Sequence, residues 1–374
     1  MKVAIFSESL WPLGEGGAEL ATYLYARLLT KLGVKIRVYV RRGGARWEGL
    51  EVVELGGAGT RKFHAPPLGA RRALEWCDVA YFASAYWELV PLAKRMGKRT
   101  VVHIHSYDPA CPVGTLFNTP AGSVCRPEMR RCWGCIYLQE RSLGRPFWRA
   151  VASQVLNGLS SPLFTKAVRS TDALVFVSEA QRRLFAEHFG DMPKSHVVYN
   201  PAPPLPHLPP GGRAVGYFGG LSPWKGVYVL LRAWARLGGR ARLYMTRASA
   251  LRNRPPGVVV LGDLTPGELE EVHKAVSVVA VPSLWWEPFG YAALEGLVRG
   301  RIVVASDVGG LPEVVGGAPG ARLVPPGDVE ALAEALEWAL GVDVAELGVR
   351  NREYALRKFD GVRLAERLLK VLEG

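Results

Sequence analysis

Strand-like and helix-like runs alternate along this chain in two series, and a proline-rich segment separates the series. In the first series the sequence predicts strands over 2–6, 35–40, 79–82, 100–105 and 173–177, and helices over 18–31 and 143–168. In the second it predicts strands over 214–218, 241–245, 257–261, 276–281 and 302–305, and helices over 225–237, 266–275, 290–299 and 329–340. Such alternation is typical of parallel sheets with helices on both faces. The fold class is therefore predicted as α/β, with two doubly wound parallel sheets.

Length and the proline-rich segment together predict two domains. The chain has 374 residues, more than a single hydrophobic core usually serves. Residues 201–212 include six prolines and two glycines, a stiff composition that fits neither core. We therefore predict a first domain over 1–195 with an insert at about 106–150, a linker over 196–212, and a second domain over 213–351. The last stretch, about 352–374, is amphipathic and is expected to complete the first domain as a helix. Two such sheets facing each other imply a ligand cleft at the carboxyl ends of their strands.

The net positive charge of the chain is concentrated in its first half. Residues 1–190 contain 26 basic and 15 acidic side chains, whereas residues 191–374 contain 21 and 19. This excess favours an anionic partner, although the solvated surface of an arginine-rich thermophile protein explains it equally well. Asparagine and glutamine are scarce, as in hyperthermophiles. The apolar runs are shorter than the roughly 18 residues of a membrane span, and no signal-peptide pattern precedes Ser7, so we expect a cytoplasmic protein.

A glycine-rich loop joins the first predicted strand to the first helix. Gly14, Glu15, Gly16 and Gly17 lead into the helix, where backbone N–H groups and the helix dipole can meet an anion. The dinucleotide fingerprint G-x-G-x-x-G does not fit, because Glu19 stands at the position of its last glycine. The loop is therefore either an anion-binding loop or a tight turn without a ligand.

Two carboxylates have seven residues between them in the segment Glu287-Pro288-Phe289-Gly290-Tyr291-Ala292-Ala293-Leu294-Glu295. Glu287 follows a predicted strand, and Glu295 lies inside the next helix. Gly290 would let the backbone N–H groups at the helix N-terminus approach a phosphate. Glu295 could accept hydrogen bonds from a ribose diol, while Glu287 would face whatever lies beyond the phosphates.

Taken with other motifs in order, this segment resembles the retaining glycosyltransferases of family 4, whose GT-B fold has two Rossmann-like domains facing a central cleft. The family's E-P-F-G-x-x-x-x-E is matched at 287–295. The resemblance covers nearly the whole chain. The other matched elements are G-G-x-E at Gly16–Glu19, S-E at Ser178–Glu179, Y-N-G/P at Tyr199–Pro201, K-G at Lys225–Gly226 and G-G-x-P-E at Gly309–Glu313. The segment Ile104-His105-Ser106-Tyr107-Asp108-Pro109 resembles the family's I-H-D-Y-x-P, with Ser106 at the position of the aspartate.

The resemblance implies retaining transfer of a sugar from a nucleoside-diphosphate sugar, of UDP or GDP type, to an acceptor hydroxyl. His105, Lys225 and Glu287 would be its catalytic residues: His105 would orient the sugar, Lys225 would bind the diphosphate, and Glu287 would bind the sugar hydroxyls. The other donor-binding residues implied are Gly16, Gly17, Arg247, Phe289, Gly290, Tyr291 and, at the ribose, Glu295. Because the sequence contains no D-x-D motif, we expect catalysis to need no metal and no cofactor.

One position departs from the family pattern. Gly220 stands where the family usually has an arginine just before its lysine, so half of the cationic pair is missing. Arg247, just after the next predicted strand, is a candidate replacement. A degenerate binding protein of the same fold remains an alternative, as does a sugar-nucleotide epimerase.

The predicted insert contains four cysteines and a cluster of arginines and aromatic residues. Cys111, Cys125, Cys132 and Cys135 would suit a structural zinc, while one or two disulfides or free thiols are the alternatives. The arginines and the aromatic residues favour peripheral contact with a membrane on its cytoplasmic face and an acceptor that is anionic or lipid-linked. We expect no nucleic-acid partner, because no nucleic-acid module is recognised. These side chains are Arg126, Arg130, Arg131, Arg141, Arg145, Arg149, Trp133, Tyr137, Phe147 and Trp148.

Overall fold

The computed structural model describes residues 1–12, 16–43, 46–47, 49–56, 59–60, 63–64, 66–125, 132–142, 144–190, 192, 194–209 and 211–374. For residues 46–47, 59–60, 63–64, 142 and 157–163 it describes the backbone alone. Several residues singled out above lie outside the described residues, namely Gly14, Glu15, Arg126, Arg130, Arg131 and Leu143.

The chain folds as two compact units. The first comprises Met1–Ala121, Cys125–Pro201 and Gly361–Gly374, and the second comprises Gly122–Val124 and Ala202–Asp360. The sequence predicts a return to the first domain from about 352, and the structure assigns the chain to that unit from Gly361 onward.

The strands described up to residue 201 are β1 (Lys2–Ser7), β2 (Lys35–Val40), β3 (Arg46–Trp47), β4 (Leu50–Glu54), β5 (Gly59–Thr60), β6 (Phe63–His64), β7 (Val79–Phe82), β8 (Arg99–Ile104), β9 (Phe117–Asn118), β10 (Ser123–Val124), β11 (Ala173–Phe176) and β12 (Ser195–Val197). Eight of them form one sheet in the order β12-β11-β8-β7-β1-β2-β4-β3. Seven of these strands run parallel, and the short edge strand β3 pairs antiparallel with β4. Every residue of β7 and β11 is buried, as expected for parallel strands covered on both faces.

The helices of this region are α1 (Gly17–Lys31), α2 (Ala70–Trp76), α3 (Val90–Arg95), α4 (Trp133–Ser142), α5 (Phe147–Arg169) and α6 (Glu179–Phe189), with a 3-10 turn at Trp87–Leu89. The single helix predicted over 143–168 is wrong at its start, because Pro146 is the N-cap of α5 and cannot continue a helix from α4. The prediction missed this boundary because it treated 143–168 as one continuous helical run.

The second unit contains a six-stranded parallel sheet in the order β15-β14-β13-β16-β17-β18. Its strands are β13 (Ala214–Tyr217), β14 (Arg242–Met245), β15 (Val258–Val260), β16 (Val278–Val281), β17 (Ile302–Ser306) and β18 (Ala321–Val324). Trp234 and Leu336 are fully buried in the core on one face of this sheet. Both units are therefore Rossmann-like, as the sequence predicts.

The helices of the second unit are α7 (Val227–Arg236), α8 (Pro266–Ala275), α9 (Tyr291–Val298), α10 (Leu311–Val315), α11 (Val329–Gly341) and α12 (Val344–Lys358), with a 3-10 turn at Pro223–Lys225. Helix α8 begins at Pro266 because Thr265 and Glu268 form a reciprocal capping box. The last amphipathic stretch, predicted as one helix over about 352–374, in fact comprises the end of α12 and a separate helix, because α12 ends before Phe359. The second, α13 (Gly361–Glu373), belongs to the first unit and packs on α1.

Candidate functional site

Lys225 and Glu287 lie beyond the carboxyl ends of two neighbouring central strands in the second unit. Lys225 ends the 3-10 turn that follows β13, and Glu287 lies in the loop that follows β16. From β13 the sheet extends through β14 and β15 on one side and through β16 to β18 on the other. The order of strands therefore reverses between β13 and β16, and open α/β sheets bind ligands at such a switch point.

The Glu287 carboxylate is held by three donors. Lys225 Nζ lies 2.9 Å from Oε2 and 3.1 Å from Oε1, Trp285 Nε1–H donates to Oε2 at 2.8 Å, and Ser283 Oγ donates to Oε2 at 3.1 Å. The Glu287 side chain is 11% exposed and that of Lys225 is 31% exposed. The Lys225 ammonium also lies 4.8 Å from the centre of the Trp285 ring. One face of this ion pair is therefore fixed by the loop, and the ammonium side is open to a ligand.

The G-G-x-P-E element supports the backbone of Glu287. Gly310 N–H donates to the Glu287 carbonyl at 2.7 Å. Gly309 has a φ of +61°, and a Cβ at this position would lie 2.4 Å from the same carbonyl oxygen. Only glycine allows this close approach, so the element positions the loop that carries the carboxylate.

Glu295 is separated from this ion pair by part of helix α9. Gly290 is the N-cap of α9, and Phe289 just before it is buried against Tyr291 and Phe359. The buried Phe289 ring anchors the helix, so only its backbone is available to a ligand.

The Glu295 carboxylate pairs with Arg299 at 3.4 Å, and Arg299 is shared with Glu270 at 3.0 Å. Burial raises the pKa of Glu295 above its usual value, while Arg299 acts in the opposite direction. The pKa of Tyr291 is also raised, first by burial and then by Glu295. The structure thus brings Lys225 and Glu287 into contact, whereas Glu295 pairs on its own helix.

Arg247 lies beside the glycine that replaces the expected arginine. A Cβ on Gly220 would lie 3.5 Å from the Cβ of Arg247, and Gly220 itself has a φ of +65°. Arg247 follows β14, the neighbour of β13, and its guanidinium is half exposed and 3.4 Å from the exposed Asp263. Its own φ is +52°, which is uncommon for a residue with a side chain. A cation is therefore present next to the position where the motif lacks one.

His105 lies in the first unit, directly after β8. Burial lowers its pKa to about 3, so the ring is neutral near pH 7. Neither ring nitrogen has a hydrogen-bond partner among the described residues, and the ring lies 4.1 Å from that of His103. His103 Nδ1, in contrast, lies 2.6 Å from the Tyr81 hydroxyl. His103 is therefore a fully buried core histidine, whereas His105 is only partly buried as a residue and has both ring nitrogens unpaired among the described residues.

The glycine-rich loop of the first unit leads into α1. Gly16 is the N-cap and Gly17 the first residue of the helix. Glu19 folds back over this end, since a Cβ on Gly16 would lie 2.3 Å from its carboxylate. Burial raises the pKa of Glu19, and the nearby Glu8 raises it further. The N-terminus of α1 therefore already has an acidic side chain next to it.

The four cysteines of the insert lie near one another. Burial raises the pKa of Cys125 to about 11, and Cys111, Cys132 and Cys135 add to this effect. Among the described residues, no group of three or more histidine, cysteine or acidic side chains is placed to hold a metal ion. The structural zinc and the disulfides both stay predictions.

Sequence reasoning did not identify Ser283 and Trp285 as the groups that hold Glu287. Both lie in the same strand-to-helix loop as Glu287, four and two residues before it, respectively. Their position after the carboxyl end of a central strand was the signal that could have identified them.

Two family models match the chain. The Glycosyltransferase Family 4 model matches residues 15–204, and the Glycosyl transferases group 1 model matches residues 212–341. The first match alone takes in more than half of the 374 residues. The chain belongs to Glycosyltransferase Family 4. The membership that the ordered motifs predict is thereby confirmed.

Curated relatives of this family 4 chain are similar over part of their length. D-inositol 3-phosphate glycosyltransferase of Corynebacterium aurimucosum is 29% identical over 212 residues, which are 47% of this chain and 50% of that protein. Alpha-maltose-1-phosphate synthase of Mycolicibacterium smegmatis is 28% identical over 255 residues, which are 57% of this chain and 66% of that protein. The matched stretches therefore span about half to two thirds of these relatives.

Solved structures similar to this family 4 chain share its fold over its whole length. Anabaena HepE in complex with UDP and glucose has a TM-score of 0.70 at 18% identity and covers 100% of both chains. Sucrose-phosphate synthase from Thermosynechococcus elongatus has a TM-score of 0.65 at 17% identity and covers 99% of this chain and 98% of its own. The fold is GT-B with two Rossmann-like parallel sheets. In the part of the chain that the structure describes, no helix combines the length and the apolar character needed to cross a membrane.

Proposed function

We propose that the second unit binds a nucleoside-diphosphate sugar and that the chain transfers the sugar, with retention, to an acceptor hydroxyl. The observation that carries this proposal is the Lys225–Glu287 pair at the switch point of the second sheet, next to the N-terminus of α9. The UDP and glucose bound to HepE support a donor of the UDP type, and GDP is the alternative to be tested beside it.

Lys225 provides the positive charge that the leaving diphosphate requires. An ammonium has three N–H donors, so Lys225 can keep Glu287 as a partner and still donate to a phosphate oxygen. Negative charge grows on the diphosphate as the bond to the anomeric carbon stretches. A cation already in place therefore stabilises the transition state more than the bound donor.

Glu287 is proposed to accept hydrogen bonds from the donor sugar. The three donors that hold it fix the carboxylate before the sugar arrives, which lowers the entropy lost on binding. Glu295 is proposed to bind the ribose, with Arg299 holding its carboxylate, and Arg247 to contribute the second cation to the diphosphate. His105 is proposed to orient the sugar through its neutral ring.

Titration of UDP and GDP by calorimetry tests the donor site. We expect Lys225→Met to weaken binding of the preferred nucleotide by about 10-fold to 100-fold, since a hydrogen bond to a charged group contributes about 1.5–3 kcal/mol. Lys274→Met is the matched control, because Lys274 also pairs with a glutamate, Glu271 at 2.7 Å, on the exposed face of α8. This control should bind the nucleotide as tightly as the parent.

A screen of nucleotide sugars, in which the released nucleotide is measured, tests catalysis separately from binding. Slow donor hydrolysis without any acceptor, abolished by Lys225→Met, would support the transferase. Nucleotide binding without release from any donor favours the degenerate binding protein. Interconversion of one nucleotide sugar into another identifies an epimerase instead. Nucleotide binding that is equal in the parent and the Lys225→Met variant would remove the basis of the proposal.

We also propose that the first unit contacts an anionic membrane leaflet and there meets a lipid-linked acceptor. The start of α5 exposes Phe147 and Trp148, at 59% and 63%, and Val151 and Val155 follow at helical spacing with Arg149 among them. Apolar and aromatic side chains beside arginine suit the interface of a membrane that carries anionic lipids, such as the cytoplasmic leaflet.

Vesicle flotation tests this contact. The parent should float with vesicles that contain phosphatidylglycerol and less with pure phosphatidylcholine, and the double variant Phe147→Ser and Trp148→Ser should lose most of the binding. Tyr228→Ser and Val362→Ser together are the matched control, because both side chains are about half exposed on other helices. Equal flotation of the parent, the double variant and the control would contradict the proposal.

A further inference from the structure

The first unit contains a cavity of about 500 Å³ at the carboxyl ends of its central strands. Glu8 follows β1, Arg41 follows β2, Ser84 lies just after β7, and His105 follows β8, and all four line the cavity. Strand order reverses between β1 and β7, so this cavity occupies the switch point of the first sheet. All the described residues that line the cavity belong to the first unit.

The described lining of this cavity is acidic. Its carboxylates are Glu8, Glu19, Glu88 and Asp108, whereas Arg41 is its one guanidinium. The excess of basic residues in the first half of the sequence is therefore not found in the cavity itself.

The guanidinium of Arg41 is already engaged by two of these carboxylates. Its Nε lies 3.1 Å from Glu8 and its Nη2 lies 2.7 Å from Glu88, while the group lies 4.1 Å from the centre of the Tyr86 ring. The side chain is 6% exposed, and its Nη1 has no hydrogen-bond partner among the described residues. Arg42 reaches Glu8 at 3.7 Å, but its side chain is largely exposed and does not line the cavity. The Nε of Arg41 and the Nε1 of Trp87 also have no hydrogen-bond partner among the described residues, so the lining has N–H donors to offer but no cation without a counter-charge.

The remaining polar groups suit hydroxyls. His105 is neutral near pH 7 because burial lowers its pKa to about 3, so it can accept one hydrogen bond and donate one but offers no charge. Carboxylates only accept hydrogen bonds, and a hydroxyl can donate to them. Trp87 and Phe164, whose ring centres are 4.9 Å apart, provide apolar surface at the same cavity. The pKa of Glu19 is raised mainly by burial, with a smaller contribution from the nearby Glu8, so the two carboxyl groups are close enough to interact.

We propose that this cavity binds the acceptor as an uncharged sugar or polyol, and that Glu8, Glu19, Glu88 and Asp108 exclude phosphorylated acceptors from it. This inference rests on the proposed transferase function and refines its acceptor. The basic first half had favoured an anionic acceptor, and the charges at the cavity favour a neutral one. A lipid-linked acceptor agrees with both, provided that the sugar which enters the cavity carries no phosphate.

Matched acceptor pairs test the selectivity. With the donor that gives most hydrolysis, we would measure kcat/KM for a panel of uncharged monosaccharides, disaccharides and myo-inositol, each beside a phosphorylated counterpart such as glucose 1-phosphate or inositol 3-phosphate. The uncharged member should be the better substrate by at least about tenfold, because like charges brought together cost several kcal/mol. A preference for phosphorylated members, or glycosylation of no uncharged member, overturns the inference.

Variants show whether the carboxylates cause the preference. Glu88→Gln removes one of the two counter-charges of Arg41 and should reduce the preference for uncharged acceptors about fivefold, through the acceptor KM rather than the donor KM. Glu75→Gln is the matched control, because Glu75 pairs with Arg71 on the exposed face of α2. This control should leave the preference unchanged. A preference that Glu88→Gln does not alter would contradict the role of the carboxylates.

Failure of this inference and failure of the proposed function are distinguishable. If no nucleotide binds and no donor is hydrolysed, the proposed function fails, and calorimetry with the same acceptor pairs still tests the cavity directly. If the donor is hydrolysed but phosphorylated acceptors are preferred, only the cavity assignment fails.

Discussion

Arg247 has a left-handed backbone conformation that is uncommon for a residue with a side chain. Its φ of +52° lies in the left-handed region, which costs an L-residue about 1–2 kcal/mol. Its ion pair with Asp263 is 3.4 Å long, and the two side chains are 50% and 93% exposed, so the pair contributes less than about 1 kcal/mol. Strain of this kind clusters at ligand sites. We therefore expect the diphosphate to be the partner for which this conformation is retained.

Comparison of Arg247→Ala with Arg247→Gly isolates the strain. Both variants lose the guanidinium and the Asp263 pair, but only alanine retains a Cβ. Relief of about 1–2 kcal/mol of strain is partly offset by the greater freedom of glycine in the unfolded chain, about 0.4–1 kcal/mol. The glycine variant should therefore be more stable than the alanine variant by about 0.5–1 kcal/mol. Both should bind UDP or GDP at least about tenfold more weakly than the parent, because both lose a charged hydrogen bond.

Urea unfolding and nucleotide calorimetry measure the two effects separately. Arg252→Ala and Arg252→Gly are the matched controls, since Arg252 is exposed, lies in the same loop region and has no positive φ. In the controls glycine should be no more stable than alanine, and nucleotide binding should not change. The reasoning is refuted if Arg247→Gly is no more stable than Arg247→Ala, or if either variant binds nucleotide as tightly as the parent.

Three further changes test other parts of the structure. Gly309→Ala should destabilise the second unit by about 2–4 kcal/mol, because the new Cβ would lie 2.4 Å from the Glu287 carbonyl oxygen and because φ at this position is positive. A melting temperature within about 1 °C of the parent's, which corresponds to a stability change on the order of a few tenths of a kcal/mol, would contradict this. Trp285→Phe removes the N–H group that donates to Glu287, so the rate of donor hydrolysis should fall about tenfold. The nucleotide affinity measured by calorimetry should stay within about twofold of the parent's. Equal losses in hydrolysis and in affinity would show that the loop had moved. Burial raises the pKa of Asp172, but hydrogen bonds from Lys94 and from the start of β8 outweigh it and lower the pKa from 3.8 to about 2. This lowered pKa stabilises the fold above pH 3.8, and the contribution is lost as the pH falls toward 2. Between pH 7 and pH 2, the free energy of unfolding should therefore fall by about 1 kcal/mol less in Asp172→Asn than in the parent, as measured by urea titration. The same pH dependence in the parent and the variant would disprove this.

Regular elements could be predicted from the sequence where local chemistry determines them. Helix α8 runs from Pro266 to Ala275, the predicted bounds, because a capping box and a proline at the first position fix its start. The central strands β13 and β16 were found because they are short apolar runs between helices. Helix α10 and strand β18 were missed, because only contacts with the rest of the sheet distinguish a five-residue helix and a four-residue strand from loops.

The side-chain arrangement at the proposed donor site could be predicted only in part. The motif indicated that Glu287 is functional, but a motif gives no partner for the carboxylate. That partner is Lys225, 62 positions earlier, and the two meet because β13 and β16 are neighbours in the sheet. The sequence indicated that the usual cation is missing at position 220, where Gly220 stands. The pairing of β13 with β14 shows that Arg247 lies beside this position.

The first unit shows why a count of charges does not predict what a site binds. Its basic excess includes Arg141, Arg145 and Arg149, which lie on or beside α4 and α5, whereas the charged residues that line the cavity are mainly acidic. Charges on the surface act over roughly a Debye length of 8–10 Å and attract anions to the protein as a whole. Inside the cavity the nearest groups are carboxylates, and the energy of two charges grows as their distance shortens. The surface and the cavity can therefore favour opposite charges, as they must if a chain binds an anionic membrane and glycosylates an uncharged sugar there.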